Sequence, residues 1–174
     1  MEKQAKLVEI DNFKAPKGAD VFYYQVKDGI KIRVAIWNKL SSKGTFVLQS
    51  GRTEFIEKYY EVVQELLDRS FCVVMFDWRG QGLSDRLTKN KYLGHVNRFK
   101  DYDLDLQEIF KEIITPECPQ PYIGMSHSMG GSIMATFASK SNSPLKALIL
   151  CAPMLNIKVP NKMKFLLVII GALS

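Results

Sequence analysis

Residues 122–131 read Tyr122-Ile123-Gly124-Met125-Ser126-His127-Ser128-Met129-Gly130-Gly131. The pattern is a short apolar strand that runs into a sharp turn and then a helix, which is the layout of a nucleophile elbow. At such a turn a strained backbone lifts the serine hydroxyl clear of the sheet, and small residues two before and two after it let strand and helix approach closely. Ser128 fits the central position, with Ser126 and Gly130 as its small neighbours.

A second register is open, in which Ser126 is the nucleophile between Gly124 and Ser128. That register puts no glycine on the helical side, whereas Gly130 and Gly131 directly follow Ser128. The glycines therefore favour Ser128. A serine-rich turn that caps a helix would give the same five-residue match, so the neighbouring elements must support the elbow.

The rest of the chain alternates strand and helix patterns. Lys27-Asp28-Gly29 separates two alternating runs, Val21–Val26 and Ile30–Trp37, and predicts an antiparallel β-hairpin. The later apolar strand runs are Thr45–Gln49, Phe71–Phe76, Gln120–Gly124 and Leu145–Cys151, and helical spacing covers Phe55–Arg69, Asp101–Ile114 and Ser132–Ala138. Continuous apolar strands separated by helices predict an α/β fold with a mostly parallel sheet after the antiparallel hairpin.

Composition and charge narrow the class of protein. With 174 residues, 47% of them hydrophobic and 24% charged, the chain is expected to form one domain. The net charge of +6 includes no block of five like charges, so no nucleic-acid arm is predicted. A solvated basic surface explains this charge, and attraction to anionic lipid head groups is the alternative.

Cysteine usage and the N-terminus bear on the compartment. The three cysteines, Cys72, Cys118 and Cys151, are odd in number and widely spaced, which predicts buried small hydrophobes in a reducing compartment. Residues 1–6 are not followed by the apolar region of a secretory signal. We expect a cytoplasmic protein, with peripheral contact to the inner face of the membrane as a further option.

Three segments together resemble the α/β-hydrolase fold, and within it the monoglyceride lipase and bacterial lysophospholipase group, also classed as serine aminopeptidase-like. Ser126–Gly131 resembles the GHSMGG elbow of that group, with serine in place of the first glycine. Asp77–Ser84 resembles its D-x-R-G-x-G-x-S loop, and Ser50-Gly51-Arg52 aligns with its His-Gly-x loop, with serine at the histidine position. The agreement runs from about Val21 to Pro153.

The resemblance implies a serine hydrolase that cleaves a lipid-like ester through an acyl-enzyme on Ser128. It also implies an oxyanion hole made by the backbone N–H groups of Arg52 and Met129, because charge develops on that oxygen only in the transition state. No metal or cofactor is implied. The residues expected to support the elbow and the loops are Gly51, Ser126, Gly130, Gly131, Asp77 and Arg79. We expect Asp77 and Arg79 to organise the glycine-rich loop by hydrogen bonding rather than to take part in the chemistry.

The sequence does not complete a catalytic triad. A serine hydroxyl needs a histidine base, and the histidine needs an acid that fixes its tautomer. The two histidines are His127, whose side chain is expected to point away from Ser128, and His95, which lies upstream of the elbow. This fold has the order Ser, acid, His, but no Asp or Glu follows Ser128.

The resemblance accounts for the gap, because in this group a cap follows the segment ending at Pro153 and the acid and histidine come later. We expect residues 1–153 to form the N-terminal part of the hydrolase core and residues 154–174 to begin the cap of a chain that is cut short. Lys164–Leu173 is uncharged and apolar after Lys164, but it is shorter than the roughly 20 residues that span a bilayer. It reads as a first cap helix, or alternatively as a lipid-contacting segment.

Two further expectations follow from an incomplete core. Leu145–Cys151 would be an unprotected last strand, and exposed strand edges promote association, so the fragment is expected to self-associate. The missing acid and histidine also leave a second function open, a non-catalytic α/β-hydrolase-like protein that binds a small molecule in the retained pocket.

Overall fold

In the computed structural model, which describes residues 2–156, one seven-stranded sheet is combined with four α-helices. The strands are β1 Glu2–Gln4, β2 Ala19–Gln25, β3 Lys31–Trp37, β4 Thr45–Gln49, β5 Cys72–Phe76, β6 Tyr122–His127 and β7 Leu145–Cys151. The helices are α1 Tyr60–Asp68, α2 Lys100–Ile109, α3 Thr115–Glu117 and α4 Ser128–Ala138. A 3-10 turn, Ile56–Tyr59, precedes α1, and a π-helical turn, Phe110–Ile114, joins α2 to α3.

The strand order is β1-β2-β3-β5-β4-β6-β7. The first three pairs in that order are antiparallel and the last three are parallel. The predicted hairpin is β2–β3, in which Ala19 pairs with Trp37 and Gln25 pairs with Lys31. The predicted α/β class with an antiparallel N-terminal section is confirmed. The carboxyl ends of β4, β5 and β6 lie at one edge of the sheet, where their loops meet.

The core lies on both faces of the sheet. In β5, Val74 and Phe76 belong to one apolar cluster and Val73 and Met75 belong to the other, as alternation along a strand requires. The cluster around Val74 also takes side chains from α2 and α4, and the cluster around Val73 takes side chains from α1. Burial on both faces explains why the strands read as unbroken apolar runs rather than as alternating ones.

The structure corrects two details. The elbow strand was predicted over 120–124, but β6 is Tyr122–His127 and α4 begins at Ser128, because no loop residue separates strand from helix. The expectation that all three cysteines are buried is wrong for Cys151, which is exposed, while Cys72 and Cys118 are buried. The reason is that β7 is an edge strand among the described residues and pairs only with β6.

No helix within residues 2–156 is both long enough and apolar enough to cross a bilayer. Residues 157–174, which include the Lys164–Leu173 run, lie outside the described residues. The predicted boundary between the core and the cap therefore stays a prediction.

Candidate active site

Ser128 occupies the junction of β6 and α4 with a φ angle of +50°, in the left-handed region that a residue with a side chain seldom adopts. Such strain is typical of functional sites, where the surrounding structure holds it in place. The carbonyl oxygen of Ser128 accepts a hydrogen bond from the Met154 N–H at 2.9 Å. The chain beyond β7 thus returns to the elbow and helps to fix it.

The small residues around Ser128 permit close backbone packing. A Cβ on Gly130 would collide with the carbonyl oxygen of Ser50. A Cβ on Gly131 would lie 2.9 Å from the Cβ of Pro153. Ser126, the other candidate nucleophile, is 1% exposed and lies within β6 opposite Gln49. This geometry favours Ser128 over Ser126, because only Ser128 is half-exposed at the end of the strand.

The loop after β4 carries the first predicted oxyanion donor close to Ser128. A Cβ on Gly51 would lie 3.1 Å from the Cβ of Ser128, so a larger residue would require the loop and the elbow to shift apart. Within residues 2–156, the Arg52 N–H donates no hydrogen bond. The Met129 N–H belongs to the first turn of α4, where backbone donors have no intrahelical acceptor. Both positions are compatible with the predicted oxyanion hole, which stays a prediction.

Two hydrogen bonds hold the loop that follows β4 against the glycine-rich loop. The indole Nε1 of Trp78 donates to the carbonyl oxygen of Ser50 at 2.9 Å, and the Thr53 N–H donates to Oε1 of Gln81. Trp78 and Gln81 both belong to the glycine-rich loop that follows β5, and both are buried. The two loops at this edge of the sheet are thus joined by hydrogen bonds from one to the other.

Glu54 is a residue that sequence reasoning missed. Its Oε2 accepts hydrogen bonds from the Gly51 N–H and the Tyr59 hydroxyl, both at 2.6 Å, and lies 3.1 Å from Nδ1 of His127. Its Oε1 accepts from the Lys58 ammonium at 3.0 Å. Burial alone would raise the pKa of Glu54, but these donors lower it to about 2. One carboxylate therefore ties the loop of Gly51 to the elbow.

Glu54→Gln should lower stability at neutral pH, because an amide cannot replace a carboxylate that accepts from three donors at one oxygen. A depressed carboxyl pKa contributes stability above its unfolded value of 4.5, and that contribution is lost as the pH falls toward about 2. The difference in unfolding free energy between parent and variant should shrink over that range. Urea unfolding at several pH values measures it. Glu61→Gln, on the exposed face of α1, is the control, and an equal pH-dependent loss there would contradict the assignment.

Asp77 organises the glycine-rich loop from a fully buried position. Its carboxylate accepts from the Leu83 N–H at 2.8 Å and the Ile56 N–H at 3.0 Å, and it pairs with Arg33 at 2.7 Å. A Cβ on Gly82 would overlap this carboxylate, and Gly82 has a φ angle of +49°. Asp77 therefore connects three elements. They are the glycine-rich loop, the segment that precedes α1, and strand β3.

Arg79 connects the same loop to more distant elements. Its guanidinium donates through Nε to Asp105 of α2 at 2.6 Å and through Nη1 to Asp28 of the β2–β3 turn at 2.7 Å. Arg79 is 3% exposed and Asp105 is 1% exposed. These contacts stabilise the loop and place the Arg79 charge within the protein rather than at the surface.

Neither histidine is arranged as a base for Ser128. His95 is exposed, and its Nε2 lies 3.0 Å from the side-chain oxygen of Asn97. His127 turns its Nδ1 toward Glu54 on the neighbouring loop. No group of His, Cys, Asp or Glu side chains suited to holding a metal ion occurs in the part of the chain that the structure describes.

The sequence has relatives among known proteins. The chain is 35% identical over 132 residues to lysophospholipase L2 of Escherichia coli, which covers 76% of this chain and 39% of the relative. It is 26% identical to a monoacylglycerol lipase of Mycolicibacterium smegmatis, over 74% of this chain and 44% of the relative. The chain thus spans less than half the length of these relatives, and its resemblance to the monoglyceride lipase and lysophospholipase group is confirmed.

Solved structures show the same architecture. A thermostable carboxyl esterase from Bacillus coagulans, in complex with glycerol, matches with a TM-score of 0.71 and 21% identity, over 91% of this chain and 51% of that chain. The predicted α/β-hydrolase fold is confirmed by this match. The profile of the family described as serine aminopeptidase, S33 (Hydrolase_4) matches residues 41–174. Since that match covers most of the chain, the protein belongs to the serine aminopeptidase S33 family of α/β hydrolases.

Proposed function

We propose that this protein is a serine hydrolase of lysophospholipase or monoacylglycerol lipase type, which cleaves carboxylic esters of lipid-like substrates through an acyl-enzyme on Ser128. The observation that carries the proposal is the strained elbow. Ser128 has a φ angle of +50° at the end of β6, with the loop of Gly51 packed against it. The names of the relatives support the lipid ester as substrate.

The proposed chemistry begins with attack of the Ser128 Oγ on the ester carbonyl carbon. A C–O bond forms, the serine proton passes to a base, and the carbonyl oxygen becomes an oxyanion. The N–H groups of Arg52 and Met129 are the proposed donors to that oxyanion, and each such donor is worth about 10²–10³ in rate. Collapse of this intermediate expels the alcohol and leaves the acyl group on Ser128, from which water releases the acid.

The base and its acid partner are proposed to come from sequence outside this chain. No His, Asp or Glu follows Ser128, and the aligned part of the Escherichia coli relative is only 39% of its length. In this fold the acid and the histidine follow the nucleophile. The proposal includes a cytoplasmic location with peripheral contact to the membrane, where lipid esters are found.

The 174-residue chain by itself should be a very weak esterase. Loss of the general base removes nucleophilic activation, and triad loss costs on the order of 10⁶ in turnover in a serine protease. Hydrolysis of p-nitrophenyl butyrate by the purified chain, compared with buffer, measures this. Ordinary turnover of around 10 per second that disappears in His95→Ala or His127→Ala would contradict the prediction and identify that histidine as the base.

The test of the proposed function compares the 174-residue chain with the product of the source DNA read past codon 174. The longer product should hydrolyse a lysophospholipid or a monoacylglycerol and should contain an acid and then a histidine after Ser128. A stop codon at that point, together with a stable monomeric product that binds such lipids without hydrolysing them, would instead support the non-catalytic binding protein. Because binding and hydrolysis are measured separately, the two functions are distinguished.

A further inference from the structure

The segment of residues 86–100 carries an unusual concentration of positive charge. It contains five Lys or Arg residues and no Asp or Glu, whereas the whole chain has a net charge of +6. Large apolar side chains are exposed in the same segment: Tyr92 is 98% exposed, Leu93 is 53% exposed and Phe99 is 46% exposed. We call residues 86–100 the basic segment.

The basic segment lies at the edge of the sheet that carries Ser128. It follows the glycine-rich loop at the carboxyl end of β5 and leads into α2. The carbonyl oxygen of His95 packs against Gly80 so closely that a Cβ there would lie 2.6 Å away. A Cβ on Gly94 would lie 3.9 Å from Nη2 of Arg52, on the loop that carries the proposed oxyanion donor. The segment thus borders the candidate active site.

The positive charges of this segment divide into two groups. Arg86 is used internally, since it donates to the carbonyl oxygens of Lys91 and Gly82, each at 2.9 Å, and so shapes the segment. Arg98 pairs with Asp101 at 2.8 Å. The others are Lys89, Lys91 and Lys100, which are exposed and form no ion pair with the residues that the structure describes.

Exposed lysines that directly precede an exposed tyrosine and an exposed leucine in the chain match the chemistry of an anionic lipid surface. Tyrosine is enriched at membrane interfaces because its ring is apolar and its hydroxyl stays in contact with water. Lysines near an anionic surface are attracted to it by their charge. We propose that the basic segment docks on an anionic phospholipid membrane, with Tyr92 and Leu93 in the interface and Lys89 and Lys91 among the head groups. The proposal deepens the proposed function, because docking would bring the edge that carries Ser128 to a lipid ester.

Vesicle sedimentation tests the proposal without any ester turnover, so docking and hydrolysis can fail independently. The purified chain should bind vesicles of phosphatidylcholine mixed with phosphatidylglycerol and should bind phosphatidylcholine alone much more weakly. Added salt should reduce binding, since exposed charges are screened within about 10 Å at 0.1 M. Lys89→Glu with Lys91→Glu should weaken binding to the anionic vesicles by about tenfold or more. Tyr92→Ser with Leu93→Ser should weaken binding and preserve its salt dependence.

The matched control is Lys17→Glu with Lys43→Glu, which changes the net charge equally. Lys17 precedes β2 and Lys43 precedes β4, so both lie at the edge opposite the basic segment. This control should bind like the parent chain, and circular dichroism should show that all variants are folded. The proposal would be overturned if the two lysine double variants lost vesicle binding equally, or if the parent chain bound neutral and anionic vesicles equally. Tighter binding to single-stranded DNA than to anionic vesicles would also overturn it. Unchanged binding in the Lys89 and Lys91 variant would overturn it as well.

Discussion

Ser128→Ala should abolish covalent labelling by an alkyl phosphonate probe in the complete gene product. The probe is expected to react with Ser128 as the proposed nucleophile, and removal of the nucleophile of a serine protease costs about 2 × 10⁶ in turnover. Labelling is measured by intact-protein mass spectrometry, followed by peptide mapping of the attached phosphonate. Ser128 is the candidate for this reaction, because it lies at the junction of β6 and α4 with a φ angle of +50°.

Ser126→Gly is the matched control and should leave labelling intact. Ser126 is 1% exposed within β6, so its hydroxyl is not accessible to a probe, and glycine is the residue that the related elbow has at this position. A glycine within a strand costs roughly 0.5–1 kcal/mol in stability, which a folded protein tolerates. Continued labelling of the Ser128→Ala protein, or loss of labelling in Ser126→Gly, would show that the nucleophile is assigned to the wrong residue.

Arg33→Met should destabilise the protein by about 3–5 kcal/mol, because it leaves buried carboxylates without a partner. The Arg33 side chain is 0% exposed and bonds to Asp77 through Nε at 2.8 Å and to Glu57 through Nη1 at 2.6 Å. Domain stabilities are only about 5–15 kcal/mol, so the variant should lose a large share of its stability. The midpoint of urea unfolding, followed by circular dichroism, measures the loss.

Arg69→Met provides the comparison for the same chemical change at the surface. The Arg69–Glu65 pair has side chains that are 60% and 67% exposed, and such pairs contribute about 0–1 kcal/mol. A loss of stability in Arg33→Met no larger than that in Arg69→Met would show that the charges around Asp77 are not interdependent. The glycine-rich loop would then need another explanation for its order.

Much of the fold was predictable because the hydrophobic patterns of the strands agree with the burial of those strands in the structure. The Asp28-Gly29 turn lies between alternating runs, and the β2–β3 hairpin forms there. The apolar runs of β4 and β5 are buried along their whole length, as expected for strands covered on both faces. The strand order was not predictable in the same way, because β5 lies between β3 and β4, and pairing between distant strands depends on tertiary packing.

The site was predictable only in part. The proposed roles of Ser128, Arg52 and Met129 depend on short motifs in which small residues must stand at particular positions, so these residues were found from their spacing. Glu54 was missed because its donors come from four residues, and the most distant of them, His127, is 73 positions away. A possible signal was its place directly after the loop of Gly51, but nothing in the residue type shows which groups surround it.

The sequence by itself determined the alternation of strands and helices, the elbow and the two loops beside it, because each depends on periodicity or on glycines at short spacing. Only the tertiary structure decided that Arg33 pairs with Asp77 and Glu57, that Glu54 joins the loop of Gly51 to the elbow, and that Cys151 is exposed at an edge. The physical reason is that ion pairs and edge exposure depend on which distant segments meet, and that choice is made by packing of the whole core rather than by local pattern.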